Sequence, residues 1–346
     1  SLVGSEMCIR DSAYVNRGQA YKQLGHLEQA IADFEQAINL DPSISEAYYN
    51  RALVYISRDE YLSAIADLTK ALDLEPEGIG DVPELIVVPY FFPIETEVRL
   101  RVQSQNSMRL AEIYHVRGEA YASLGRTEDA KSDYLKAAEI YSQLVKASRM
   151  TILVVGAGRD QPSNPLTEFS SIDKAVVNYT SLLEIDPLCA DAYYGRGVAY
   201  HDLGETEQAI TDFSKVIDLE TDRADAYHAR GMTYAEMAEY EQAIADFTKA
   251  LEIKPDLAAA YSGRAWTYEQ MGSYEQAISD YSNALEIDDS LIEVYFSRAV
   301  LYENLGRKDL AIADFEQVLV LDLFGPVYEK SLYSQAKQHL EELKDE

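Results

Sequence analysis

From Tyr193 onward one arrangement of apolar, small and polar positions recurs every 34 residues. YYGRGVAYHDLGETEQAITDF is followed by YHARGMTYAEMAEYEQAIADF from Tyr227, YSGRAWTYEQMGSYEQAISDY from Tyr261 and YFSRAVLYENLGRKDLAIADF from Tyr295, and earlier copies begin at Tyr14, Tyr48 and Tyr114. In each copy an aromatic is followed four places on by a small residue and three beyond that by tyrosine, as in Tyr193, Gly197 and Tyr200, which together make one face of an α-helix. A second apolar face follows, carrying a small and a bulky residue one turn apart: Ala209 and Phe213 with Val216 beyond, Ala30, Phe34 and Ala37, or Ala243, Phe247 and Ala250. Small residues let two helices approach, and rings fill the space beside them. Pro42, Pro76, Pro187 and Pro255 end several copies, where a helix cannot continue. The pattern predicts helix-turn-helix units that bury their apolar faces on one another, since a fixed period of this length marks a repeat array.

The small residues Gly18, Gly118, Gly197 and Gly231, Tyr21 with its equivalents, and the terminal prolines resemble the tetratricopeptide repeat family over roughly three quarters of the chain. Two places depart from it. Tyrosine stands where the family often has tryptophan, and arginine stands where it has leucine before the small residue. The resemblance implies an all-α fold, a right-handed α-solenoid superhelix of about eight repeats of 34 residues, interrupted by two irregular insertions and mediating assembly of other proteins without catalysis.

The arginine place is filled by Arg17, Arg51, Arg117, Arg196, Arg230, Arg264 and Arg298. A functional reading makes them an anion-binding ladder. The simpler reading is a structural ion pair with acidic residues of the adjacent helix, such as Asp212, Asp246 and Asp280, because a half-buried arginine needs a carboxylate partner.

The register breaks twice. Residues 1–12 have an odd composition and read as a non-native, adapter-like leader, residues 13–76 as two repeats, and 77–109 as an insertion, β-hairpin-like or a loop. In that insertion Val98, Leu100 and Val102 alternate with Arg99 and Arg101, and Tyr90, Phe91 and Phe92 offer an aromatic anchor. Residues 110–147 read as a third repeat with a long second helix, 148–170 as an irregular loop, and 171–187 as a half repeat keeping Ala175, Tyr179 and Leu182. Repeats five to eight follow over 188–325, then a capping helix over 326–346 with Leu332, Ala336, Leu340 and Leu343 on one face. Within the second break a strand-like ILVV precedes Gly156, Ala157, Gly158 and Arg159, similar to a nucleotide-binding turn. The helix, second strand and acidic ribose ligand that such a turn needs do not follow.

Composition narrows the partners. Acidic residues outnumber basic ones 60 to 30, a formal charge of -30 that repels nucleic acid and anionic membrane surfaces and favours a basic partner. No apolar run approaches the length of a membrane-spanning helix. Cys8 and Cys189 with five scattered histidines supply neither a disulfide framework nor a metal site. No nucleophile elbow, zinc-protease motif or phosphate loop is present, so no catalytic residue and no cofactor are expected. The Asn178-Tyr179-Thr180 sequon falls inside a helix and reads as chance. A cytoplasmic location is expected.

Function then rests on the face made by the first helix of each pair. Numbering each copy so that Ala190 is place one, the resemblance implies that places two, five, nine, twelve and thirteen face a groove. They give Asp191, Tyr194, Val198, His201 and Asp202, then Asp225, His228, Met232 and Glu236. Trp266 and Glu269 follow, and then Glu293, Phe296 and Glu303. The expected groove is acidic with an apolar floor, suited to a basic or amphipathic segment anchored on Trp266, Tyr194 and Phe296. A basic clamp for a terminal carboxylate, used by some members, is not expected, although Asn50 occupies one of its places. Two other readings remain: the chain as a regulatory or targeting arm of a larger methyltransferase- or glycosyltransferase-type enzyme, and self-association into a scaffold.

Overall fold

The computed structural model describes the backbone of residues 2–75, 94–155, 165–322 and 330–345 and the side chains of 12–75, 106–144, 171–321 and 332–344. All sixteen described elements are α-helices. Each copy of the pattern folds as a first (A) and a second (B) helix. The pairs are α1 (Leu2–Gln23) with α2 (Leu27–Leu40), α3 (Ser45–Ile56) with α4 (Tyr61–Leu74), and α5 (Ile94–Ser123) with α6 (Thr127–Val155). The helix α7 (Pro165–Ile185) follows alone. Then come α8 (Ala190–Asp202) with α9 (Thr206–Leu219), α10 (Ala224–Glu236) with α11 (Tyr240–Ile253), α12 (Ala258–Gln270) with α13 (Tyr274–Ile287), α14 (Ile292–Asn304) with α15 (Lys308–Asp322), and α16 (Lys330–Asp345). Two compact units result: α1 to α5, α6 as far as Ala147 and α7 form unit 1, and α8 to α16 form unit 2.

Every A helix of the paired copies ends in the same turn. The tyrosine at place eleven offers its carbonyl to the amide five residues on, as His26 to Tyr21, Glu205 to Tyr200 and Ser273 to Tyr268, which reverses the chain after one left-handed residue. Gly25, Gly125, Gly204, Gly272 and Gly306 supply that residue at φ near +70°, and Asp59 and Ala238 take the same conformation at φ 59° without being glycine.

Small residues and rings then set the A–B packing. A Cβ placed on Gly197 would lie 2.8 Å from the Phe213 ring, and one on Gly18 2.7 Å from Phe34, so the ring lies directly on the backbone of the A helix. Phe34, Phe213, Phe247 and Phe315 are fully buried. Next to this contact runs the arginine ladder, and it is structural. Arg17, Arg51, Arg117, Arg196, Arg230, Arg264 and Arg298 each donate two hydrogen bonds of 2.6–2.9 Å to the aspartate sixteen residues on: Asp33, Asp67, Asp133, Asp212, Asp246, Asp280 and Asp314. Arg230, Arg264 and Arg298 reach back with the remaining nitrogen to Ser214, Thr248 and Ser282 of the preceding B helix, at 2.9 Å each. Arg117 does the same to Thr69 at 3.1 Å, across the intervening segment. Tyrosine rings flank the guanidinium, as Tyr227 and Tyr234 flank Arg230 at 5.8 and 5.9 Å. Hydrogen bonding to aspartate raises the pKa of Arg51, Arg196, Arg230 and Arg264 against the opposing effect of burial, so each of these rungs is a permanent ion pair, and those of Arg117, Arg230, Arg264 and Arg298 tie three helices together.

The interruptions differ from the sequence expectation. Residues 94–109, read as part of a hairpin-like or looped insertion, are the first half of α5. Val98 and Val102 stand four apart, so the same residues that alternate also satisfy a helical face, and Arg99, Leu100 and Arg101 between them favour helix. The ILVV run is helical too, as the end of α6, because a short apolar run cannot by itself distinguish strand from helix. The half repeat begins earlier than expected, at Pro165. The aromatic trio at 90–92 and the glycine turn at 156–159 lie outside the described residues.

In α7 the residue at the aspartate place is Asn178, and sixteen residues before it the sequence has Pro162 in place of arginine. Asn178 is 2% exposed; its amide donates to the Lys174 carbonyl at 2.8 Å and its oxygen accepts from His115 Nδ1 at 3.0 Å. In α16 the face that would meet a further B helix carries Lys337, Glu341 and Lys344 instead of tyrosine, glycine or alanine and tyrosine, while Ala336, Leu340 and Leu343 pack beneath on the α14–α15 core with Leu332 half-buried.

Candidate functional site

In unit 2 the A helices α8 and α10, α10 and α12, and α14 and α16 touch, while α12 and α14 both pack on α13. Place nine puts Val198, Met232 and Val300 half-buried on the A helices, with Trp266 41% exposed. Met232 sits against Gly263 at the α10–α12 contact.

Place five contributes rings that serve packing as well as surface. Tyr194 lies 5.9 Å from Phe213, His228 5.8 Å from Phe247, and Phe296 5.7 Å from Phe315. Burial lowers the pKa of His228, which keeps its imidazole neutral. His339 of α16 stacks on Phe315 at 5.0 Å and meets Phe296 edge-on at 6.1 Å, so Phe296 is held from two sides.

Most of the acidic residues expected to greet a partner are already engaged within the chain. Arg223, in the turn before α10, bridges Asp191 at 2.7 Å and Asp225 at 3.1 Å and lies 5.0 Å over the Tyr194 ring. Copies elsewhere have Ile44, Leu257 or Leu291 at that turn position, and the arginine is what the single-residue reading of the groove overlooked. Glu236 lies 3.1 Å from His201 Nε2 and Glu303 2.8 Å from His339 Nδ1, close contacts without hydrogen-bond geometry. Glu269 accepts from the Tyr281 hydroxyl at 2.8 Å, and burial pushes its carboxyl above the usual range. Glu293 is exposed, whereas Asp202 is half-buried. Arg223 thus offsets the carboxylates beside Tyr194, while Trp266 of α12 and Glu293 of α14 stay exposed.

Among the described residues no three His, Cys, Asp or Glu side chains stand close enough to hold a metal ion, and no helix is long and apolar enough to cross a membrane.

Family descriptions match much of the chain. The one described as tetratricopeptide repeat covers residues 190–221, 224–257 and 258–291, a second of the same description covers 45–77, 111–144 and 292–323, and one described as TPR repeat covers 18–57. No curated protein matches the chain. Similar solved structures include MamA, 28% identical over 44% of this chain and 90% of that one with a TM-score of 0.43. YrrB, described as a TPR protein with an unusual peptide-binding site, is 19% identical over 71% of this chain and 88% of its own, with a TM-score of 0.28. TTC0263, a thermophilic TPR protein of Thermus thermophilus, is 20% identical over 51% of this chain and 94% of its own, with a TM-score of 0.41.

Proposed function

Because the chain belongs to the tetratricopeptide-repeat family, we propose that it is a non-catalytic, cytoplasmic interaction scaffold whose unit 2 takes up a basic or amphipathic segment of another protein along its A-helix face. The observation that carries this reading is Trp266, a large ring left 41% exposed in the middle of an apolar row that is otherwise half-buried. The charge of -30 supports a basic occupant and a strong dependence of association on salt. Internal pairing moves the expected centre toward Trp266, Glu293 and Phe296, and gives Asp191, Tyr194 and Asp225 a mainly supporting part. The alternative of an arm on a larger enzyme keeps the same face and changes only what is attached to it.

Trp266 is the chain's single tryptophan, so its emission reports directly on occupation. Titration with an amphipathic lysine/leucine peptide is expected to shift that emission saturably at low salt, with a glutamate/leucine peptide inert. Trp266→Ala is expected to weaken the peptide by about tenfold or more in calorimetry. Saturable binding that leaves the emission unchanged would move the site off this face. Sedimentation of the free chain separates self-association from either outcome.

A further inference from the structure

Unit 1 contains a pocket that the groove reading did not include. It has a volume of about 300 Å³, the size of one long side chain, and is lined by Tyr49 of α3, Glu112 and His115 of α5, Tyr141 of α6, and Lys174 and Asn178 of α7. Four helices, separated in sequence, meet there.

Two features mark it as more than a packing gap. Tyr141 is 2% exposed, yet among the described residues no hydrogen bond reaches its hydroxyl, and none reaches that of Tyr49. Neither hydroxyl oxygen is itself enclosed, so both open onto the pocket space, where a ligand can reach them. Burial pushes the Tyr49 phenol up to about 12 and raises Tyr141 further, with Glu112 adding to both, so the two hydroxyls stay neutral and can accept hydrogen bonds from a cation. The second feature is the way Lys174 is held. Its ammonium lies 2.8 Å from Glu112 and 5.4 Å from the Tyr141 ring centre, so the carboxylate and the ring already form a seat for positive charge.

The charge balance selects the occupant. Lys174 offsets Glu112, while Glu119, half exposed, lies 3.5 Å from His115 Nε2. His115 is committed through Nδ1 to Asn178 and supplies no donor from that nitrogen. An anion would meet Glu112, Glu119 and the field of a chain carrying -30, whereas a cation meets carboxylate, aromatic faces and two phenol oxygens.

We propose that this pocket is a second recognition site, which takes one arginine or lysine side chain of a partner protein, with Glu112 as counter-ion, Tyr49 and Tyr141 as cage, and Lys174 as the internal cation that the ligand competes with. The site rests on the scaffold reading only in taking a protein ligand, and it does not involve Trp266.

The test uses the full chain and three capped tripeptides, glycyl-X-glycine with X as arginine, its neutral isostere citrulline, or glutamate, followed by ligand-observed NMR. The arginine probe is expected to bind saturably, and citrulline about tenfold more weakly. Glu112→Gln should weaken arginine by about tenfold and Tyr141→Phe by about threefold, while Lys174→Met strengthens it by removing the competitor. Trp266→Ala should leave all of this unchanged, which separates failure here from failure of the groove. Circular dichroism confirms that each variant is folded. The proposal is overturned if the arginine probe does not bind, if it binds the Glu112→Gln and Tyr141→Phe proteins as it binds the parent, or if glutamate binds and Lys174→Met abolishes it.

Discussion

Asp246 in unit 2 and Asn178 in unit 1 occupy the same place of a B helix, both buried, one facing arginine and the other not. Where the A helix brings a guanidinium within 2.8 Å, the buried residue is a carboxylate; where that helix is missing from the pattern, it is the neutral amide of the same shape. A carboxylate taken out of water needs a charged partner, and an amide needs only hydrogen bonds. The ladder is thus a device of paired helices, and α7 has been relieved of it.

Removing one side of a rung should give the largest effect. Asp246→Ala leaves Arg230 half-buried between tyrosines, and urea denaturation should show a loss of about 3 kcal/mol, whereas the combined Arg230→Met, Asp246→Leu protein should recover most of it. The reverse experiment imposes the rung's charge where no arginine exists. Asn178→Asp should cost about 2 kcal/mol at neutral pH, and the deficit should shrink in acid as the buried, unpaired carboxyl protonates. A substitution that costs nothing at neutral pH would break the comparison.

Packing beside the rungs comes next. Gly197→Ala drives a methyl into the Phe213 ring and should destabilise unit 2 by about 1–3 kcal/mol. At the turn that follows the A helix, Ala238→Gly should stabilise by about 0.5–1 kcal/mol, because the residue there is held at φ 59°. The same change at Gly-bearing turns is not available, so Asp59→Gly in unit 1 is the natural control for whether both units respond alike.

The smallest effect concerns the ends of B helices. Hydrogen bonds from Ser43 and Ser290 hold Asp41 and Asp288 below their ordinary value of 3.8, and Lys131 does so for Asp186. A depressed carboxyl contributes stability that is present above 3.8 and lost as pH falls through the folded value, so Asp186→Asn should lower stability slightly at neutral pH, leave it unchanged at the acid end, and flatten the acid limb between them.

The sequence alone determined the helix pairs, their order, the glycine–ring contact and the arginine–aspartate partners, because each of these is a local spacing repeated at 34 residues and read several times over. Periodicity gave no access to α5 before residue 110 or to the end of α6, where a short apolar pattern fits helix and strand alike. Nor could it reveal that Arg223 would close over Tyr194 and neutralise Asp191 and Asp225, or that Tyr49, Tyr141 and Lys174 would surround one pocket. Those arrangements join residues that share no common spacing, and their energies depend on distance and burial across helices, which only the tertiary structure decides.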